Sequence, residues 1–178
     1  MSRSRNLALS CTLALAASAF APDAEAALVE RILYFNASAH CQAALPMYDG
    51  MIRKRPLAVV NEGAGTSFVT CAIPTQGRIV SLELFASARG GVPAQLTCTA
   101  VSGLESEVSH RVPRTINLPA SGARAGTLWW GTYYGGPLAR PTGEPNFFVG
   151  PYLAVTCALP PATGLNNFIL TYNEEIGA

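Results

Sequence analysis

Four cysteines, Cys41, Cys71, Cys98 and Cys157, lie beyond residue 26 of this chain, and none belongs to a Cys-x-x-Cys pair. That spacing argues against a zinc site, and no metal is expected. In an oxidising compartment an even set of four reads as two disulfides, which confine the chain to folds that bring those positions together. Spacing alone leaves all three pairings of four cysteines open.

The compartment is read from the N-terminus. Arg3 and Arg5 precede an uncharged apolar stretch over residues 7–21, which is followed by Ala24-Glu25-Ala26. A basic start, an apolar middle and a small-x-small site are the three parts of a secretory signal peptide. The apolar run is shorter than the ~20 residues that a membrane span requires. Cys11 lacks the leucine three positions ahead that a lipid-modified cysteine would have, since Ala8 stands there. Residues 1–26 are therefore expected to be removed. Residues 27–178 then form a single exported domain, periplasmic or extracellular, without a transmembrane segment.

Composition narrows the function classes. The chain is 49% hydrophobic and 13% charged, with a net charge of +1. Disorder requires low hydrophobicity with high net charge, and nucleic-acid binding requires a concentrated basic surface. Neither holds, so nucleic acid is not an expected partner. The one basic run, Arg53-Lys54-Arg55, is short and followed by Pro56, and it reads as an exposed loop before a strand.

Hydrophobic periodicity indicates strands. Leu96, Cys98 and Ala100 alternate with Gln95, Thr97 and Thr99, the period of two that marks a half-buried strand. Inward sets of the same kind are Val69, Cys71 and Ile73; Val80, Leu82 and Leu84; Leu153, Val155, Cys157 and Leu159; and Phe168, Leu170 and Tyr172. Three cysteines share this parity, which places the crosslinks in or beside the core. Turn signals such as Asn61-Glu62-Gly63, Gly90-Gly91 and Pro160-Pro161 separate the runs. Residues 28–35 read as a strand because Ile32, Tyr34 and Phe35 favour β structure. The expected fold is all-β: an antiparallel β-sandwich, jelly-roll or Ig-like, with some long loops.

Several of these segments together carry a resemblance. His40-Cys41-Gln42, then Val69-Thr70-Cys71-Ala72-Ile73-Pro74, then Leu96-Thr97-Cys98, then Cys157-Ala158-Leu159-Pro160, and finally Tyr172-Asn173-Glu174 follow in this order. The series resembles a diffuse group of small uncharacterised exported bacterial proteins. In them a Cys-Gln segment follows the signal peptide, a Cys-Pro element ends an early strand, and a Cys-x-Leu-Pro element precedes a last strand. This chain departs from the group with Cys71-Ala-Ile-Pro and with an aromatic late segment. The resemblance implies a β-sandwich with an early disulfide, Cys41 to Cys71, and a late one, Cys98 to Cys157. It implies no activity.

Catalytic chemistry has few candidates. The histidines are His40 and His110, and Asp49 is the sole aspartate beyond residue 26. Ser109 and His110 with Asp49 or Glu107 can be drawn as a hydrolase triad, but no Gly-x-Ser-x-Gly elbow is present to hold a nucleophile. His40 beside Cys41 makes a Cys-His pair only if that sulfur is free, and a bridged sulfur is not a thiolate. Glu83, Glu105, Glu107 and Glu144 are the carboxylates open to glycosidase chemistry, and they read more simply as solvated surface charges. One aspartate cannot build a calcium loop. No enzymatic activity and no cofactor are expected.

The distinctive local feature is aromatic. Trp129, Trp130, Tyr133, Tyr134, Phe147, Phe148 and Tyr152 fall within residues 129–152, together with Arg140 and Asn146. In a strand, Trp129 and Tyr133 point to one face and Trp130 and Tyr134 to the other, so one pair enters the core. Cross-strand aromatic pairing would account for them structurally. An outward pair, taken as Trp130 and Tyr134, would suit a glycan or a cell-surface protein, because aromatic faces supply apolar contact at low entropic cost. The expected role is non-catalytic binding or a surface or matrix component. A carbohydrate-binding module using Trp129, Trp130, Tyr133, Tyr134, Arg140 and Asn146 is one alternative. A subunit assembling by strand exchange through a free N-terminal segment and the last strand is another. N-terminal sequencing of the exported protein is expected to begin at Ala27, and a secreted chain that retains Met1 would contradict cleavage.

Overall fold

In the segment 67–73, Val69, Cys71 and Ile73 are buried while the alternate residues Phe68 and Ala72 are exposed and Thr70 is half-buried, so the alternation in sequence is realised as a strand with one covered face. The structure, a computed structural model, describes residues 26–104, 109–120, 126–131, 148 and 152–177. Its strands are β1 (Ala27–Asn36), β2 (Cys41–Ala43), β3 (Ile52–Arg55), β4 (Ala58–Asn61), β5 (Ser67–Ile73) and β6 (Arg78–Ala88). They continue with β7 (Ala94–Gly103), β8 (Ser109–Leu118), β9 (Gly126–Gly131), β10 (Leu153–Leu159) and β11 (Thr163–Ile176). A single helical turn, α1 (Ala37–His40), and a 3-10 turn at Pro46–Tyr48 join early strands. Asn36 caps α1: its side-chain oxygen accepts from the Ser38 amide at 2.9 Å, and its Nδ2 donates to the Pro56 carbonyl.

Two antiparallel sheets result. One has the order β3-β4-β11-β6-β9, with β1 beside β4 on the same side of β11; the other has the order β2-β5-β10-β7-β8. Long β11 is the spine of the first sheet. Gly164 and Leu165 pair with β4, residues 167–176 pair with β1, and its opposite side runs along β6. Leu82, Leu84, Leu128, Phe168 and Leu170 of this sheet meet Val69, Leu96, Ala100, Val155 and Leu159 of the other in one buried cluster. Phe35 stacks on Phe168 with centroids 5.5 Å apart. The fold is the expected β-sandwich.

Both disulfides lie within the five-stranded sheet. Cys41 bridges Cys71, directly opposite it across β2 and β5 with Cα atoms 3.9 Å apart. Cys98 bridges Cys157 across β7 and β10 at 4.0 Å. Close approach of this kind belongs to the non-hydrogen-bonded positions of an antiparallel pair, where side chains face each other most directly. A one-residue slip would turn every inward side chain outward. Each bridge therefore holds its pair of strands in the register that buries the core.

Three local expectations are corrected. Val80 is not in the inward set: Tyr172 pairs with Ile79 and Thr171 with Ser81, leaving Val80 as the extra residue of a bulge, so Ile79 takes the buried position. A bulge inserts one residue and flips parity beyond it. Arg53-Lys54-Arg55 is not a loop but the exposed end of β3, where Arg55 pairs with Glu62. The N-terminal segment is not free, since residues 27–36 pair with β11 along their whole length. Strand donation by this segment would require breaking that ladder. Among the described residues no helix is long and apolar enough to cross a membrane.

Removing Cys98 and Cys157 together is expected to lower unfolding free energy by about 4 kcal/mol, and removing Cys41 and Cys71 by about 3.5 kcal/mol, on the chain-entropy model. Urea denaturation measures both. Non-reducing peptide mapping is expected to recover these two crosslinks, and a Cys71 to Cys98 peptide would contradict the pairing.

Candidate functional site

Consecutive residues of a strand face opposite ways, and the two tryptophans of β9 are separated by this rule. β9 ends one sheet and β8 ends the other. Trp130 turns inward, is 1% exposed, and donates its indole N–H to the Val112 carbonyl of β8 at 2.9 Å. A buried indole needs such a partner, and this one ties the final strands of the two sheets together. Trp130 is therefore a core residue and leaves the set of ligand-binding candidates; the outward tryptophan is Trp129. Gly131 follows at φ 122°, where a Cβ would collide with the Val80 carbonyl. Only glycine fits so close a passage.

Trp129 stands on the outer face of the six-stranded sheet, half-buried, opposite Glu83 of β6. Glu83 is opposite Ile169 of β11, which is opposite Tyr34 of β1. The four residues form one cross-strand row: Tyr34, Ile169, Glu83, Trp129. Strands are about 4.8 Å apart, so the two aromatic residues are separated by roughly 14 Å across three spacings. Tyr34 is 70% exposed. The row on one side holds Asn36, Asn167, Phe85 and Thr127, and the row on the other holds Ile32, Thr171, Ser81 and Gly131. The face thus combines aromatic ends, an aliphatic middle, amide groups and a carboxylate.

From the sequence, Glu83 reads as a surface charge or a glycosidase carboxylate, and Tyr34 as a β-forming residue, neither as a ligand contact. The signal was present: in 28–35 apolar residues occupy both parities, so the strand cannot be explained by one buried face. Tyr133, Tyr134, Arg140 and Asn146 lie outside the described residues, as do Glu105, Glu107 and Glu144. Tyr152 is exposed but belongs to the other sheet, just before β10.

Neither histidine arrangement keeps its geometry among the described residues. Ser109 and His110 are neighbours in β8 and so point to opposite faces. His40 sits edge-on to Phe35 with centroids 5.0 Å apart, and its neighbour Cys41 is bridged. Among the described residues no three His, Cys, Asp or Glu side chains gather as a metal site.

No family model and no curated protein sequence matches the chain. Solved structures overlap it weakly. The Podospora anserina GH26-CBM35 β-(1,4)-mannanase aligns at 9% identity and a TM-score of 0.43, over 83% of this chain and 28% of its own. A family 11 carbohydrate-binding module from Clostridium thermocellum, in complex with a β-1,3-1,4-mixed-linked tetrasaccharide, aligns at 9% identity and a TM-score of 0.35, over 86% of this chain and 88% of its own. Overlaps at this level decide nothing about function.

Trp130→Ala is expected to lower stability by about 3 to 5 kcal/mol, the usual cost of emptying a buried aromatic site. Trp129→Ala is expected to cost less than about 1.5 kcal/mol, being on the solvent side. Thermal or urea unfolding of the two variants compares them.

Proposed function

We propose that this chain is an exported, non-catalytic glycan-binding protein that recognises its ligand across the outer face of the six-stranded sheet. The observation that carries the reading is the row Tyr34, Ile169, Glu83 and Trp129. A pyranose has an apolar face and an equatorial belt of hydroxyls, so it asks for flat apolar surfaces with acceptors between them. Aromatic rings supply the first at low entropic cost. Glu83, with Asn167 in the next row, supplies polar groups. The separation of roughly 14 Å between strand positions of Tyr34 and Trp129 suits a few consecutive sugar units. A carboxylate at the centre of the row favours a neutral glycan over an acidic one.

Export belongs to the same reading: residues 1–26 act as the signal, and the bridged cysteines fit an oxidising compartment. Tyr133, Tyr134, Arg140 and Asn146 remain candidate ligand contacts outside the described residues.

Titration with cellohexaose and mannohexaose tests the proposal. At least one is expected to bind saturably, and Tyr34→Ala and Trp129→Ala are each expected to weaken binding by about tenfold, equivalent to ~1.4 kcal/mol. Binding that is unchanged in both variants would move the site elsewhere, and absence of binding across a neutral glycan array would reject the function.

A further inference from the structure

The outer face of the five-stranded sheet carries a half-open hollow of about 500 Å3, lined by Ala72, Val101, Ser109, Arg111, Tyr152 and Ala154 among others. Its floor has a simple origin. Ala72, Ala154, Val101 and Arg111 are directly opposite one another on β5, β10, β7 and β8, so three short side chains end in one long cation. Tyr152, 65% exposed, stands at the near end of β10, and its carbonyl is held by the Gly103 amide at 3.0 Å. The volume lies within the ~300–1,000 Å3 range of small-molecule sites.

Charge distinguishes this place from the opposite face. Arg111 is the only charged residue on the outward positions of this sheet among the described residues, and it makes no ion pair with any of them. In the next row along the strands, Thr70, Thr156 and Thr99 present hydroxyls side by side, with Thr70 and Thr156 in hydrogen-bond contact at 3.2 Å. An exposed guanidinium recognises a carboxylate through two parallel hydrogen bonds. An aromatic wall and a floor of alanines accept the apolar face of a six-membered ring, and hydroxyls beyond the hollow meet polar substituents.

We propose that this hollow binds a uronic-acid residue of an acidic glycan, with the carboxylate on Arg111, the ring against Tyr152 and the continuing chain over the threonine row. Carboxylate on a six-membered ring is a chemistry that an aromatic acid shares. The sugar is favoured because the row beside the floor of the hollow, Thr70, Thr156 and Thr99, is hydroxylic, which suits the hydroxyls of a neighbouring sugar unit. The site is separate from the neutral-glycan face and stands or falls independently of it.

Calorimetric titration of the full exported chain with trigalacturonate, galactotriose and benzoate tests this. Trigalacturonate is expected to bind saturably, about tenfold more tightly than galactotriose, and more weakly as salt rises. Arg111→Gln and Tyr152→Ala are each expected to lose about tenfold in affinity, with unchanged unfolding temperatures because both side chains are exposed. Trp129→Ala is expected to bind trigalacturonate as the parent does. The proposal is overturned if trigalacturonate does not saturate, if both hollow variants bind it like the parent, or if benzoate binds more tightly than the uronate.

Discussion

The indole of Trp130 joins the last strand of one sheet to the last strand of the other, and much of the molecule follows from that contact. Its hydrogen bond to the Val112 carbonyl gives a buried N–H a partner inside the seam. Pro113, the next residue, has no amide to offer along that edge, as suits a sheet's terminal strand. Because Trp130 is committed inward, Trp129 is committed outward by strand geometry alone. One contact thus closes the core and supplies the aromatic end of the proposed binding face.

The five-stranded sheet is held differently. Its two disulfides join directly opposite residues of neighbouring strands, so they hold register within a sheet rather than clamping the sheets together. Register is what decides which residues reach each outer surface. On this sheet it yields alanines, threonines, Phe68 and one arginine among others; on the other it yields Tyr34, Ile169, Glu83 and Trp129. The two surfaces therefore differ in charge, and the two proposed ligand classes differ accordingly.

Much of the core was legible because alternation along a strand is a local property. Leu96, Cys98 and Ala100, or Leu153 through Leu159 in steps of two, are buried as their period requires. The pairing Cys41 to Cys71 and Cys98 to Cys157 came from a resemblance, and parity alone could not have supplied it. What local patterns could not show was any property set by a neighbour. The bulge at Val80 depends on how β6 meets β11, and the choice between Trp129 and Trp130 depends on where β8 lies. The row from Tyr34 to Trp129 spans strands distant in sequence, so no window could contain it. Where both parities are apolar, as in residues 28–35 and 129–130, a second covered or functional face was the recoverable hint.

The sequence contains two tryptophans, which makes their opposite environments separable by fluorescence. In Trp129→Phe, the remaining Trp130 is predicted to emit at short wavelength and to resist acrylamide quenching. In Trp130→Phe, the remaining Trp129 is predicted to emit at longer wavelength, to be readily quenched, and to change its emission when a neutral glycan binds. The reverse assignment, with Trp130 accessible and Trp129 shielded, would contradict both the closed seam and the binding face proposed on it.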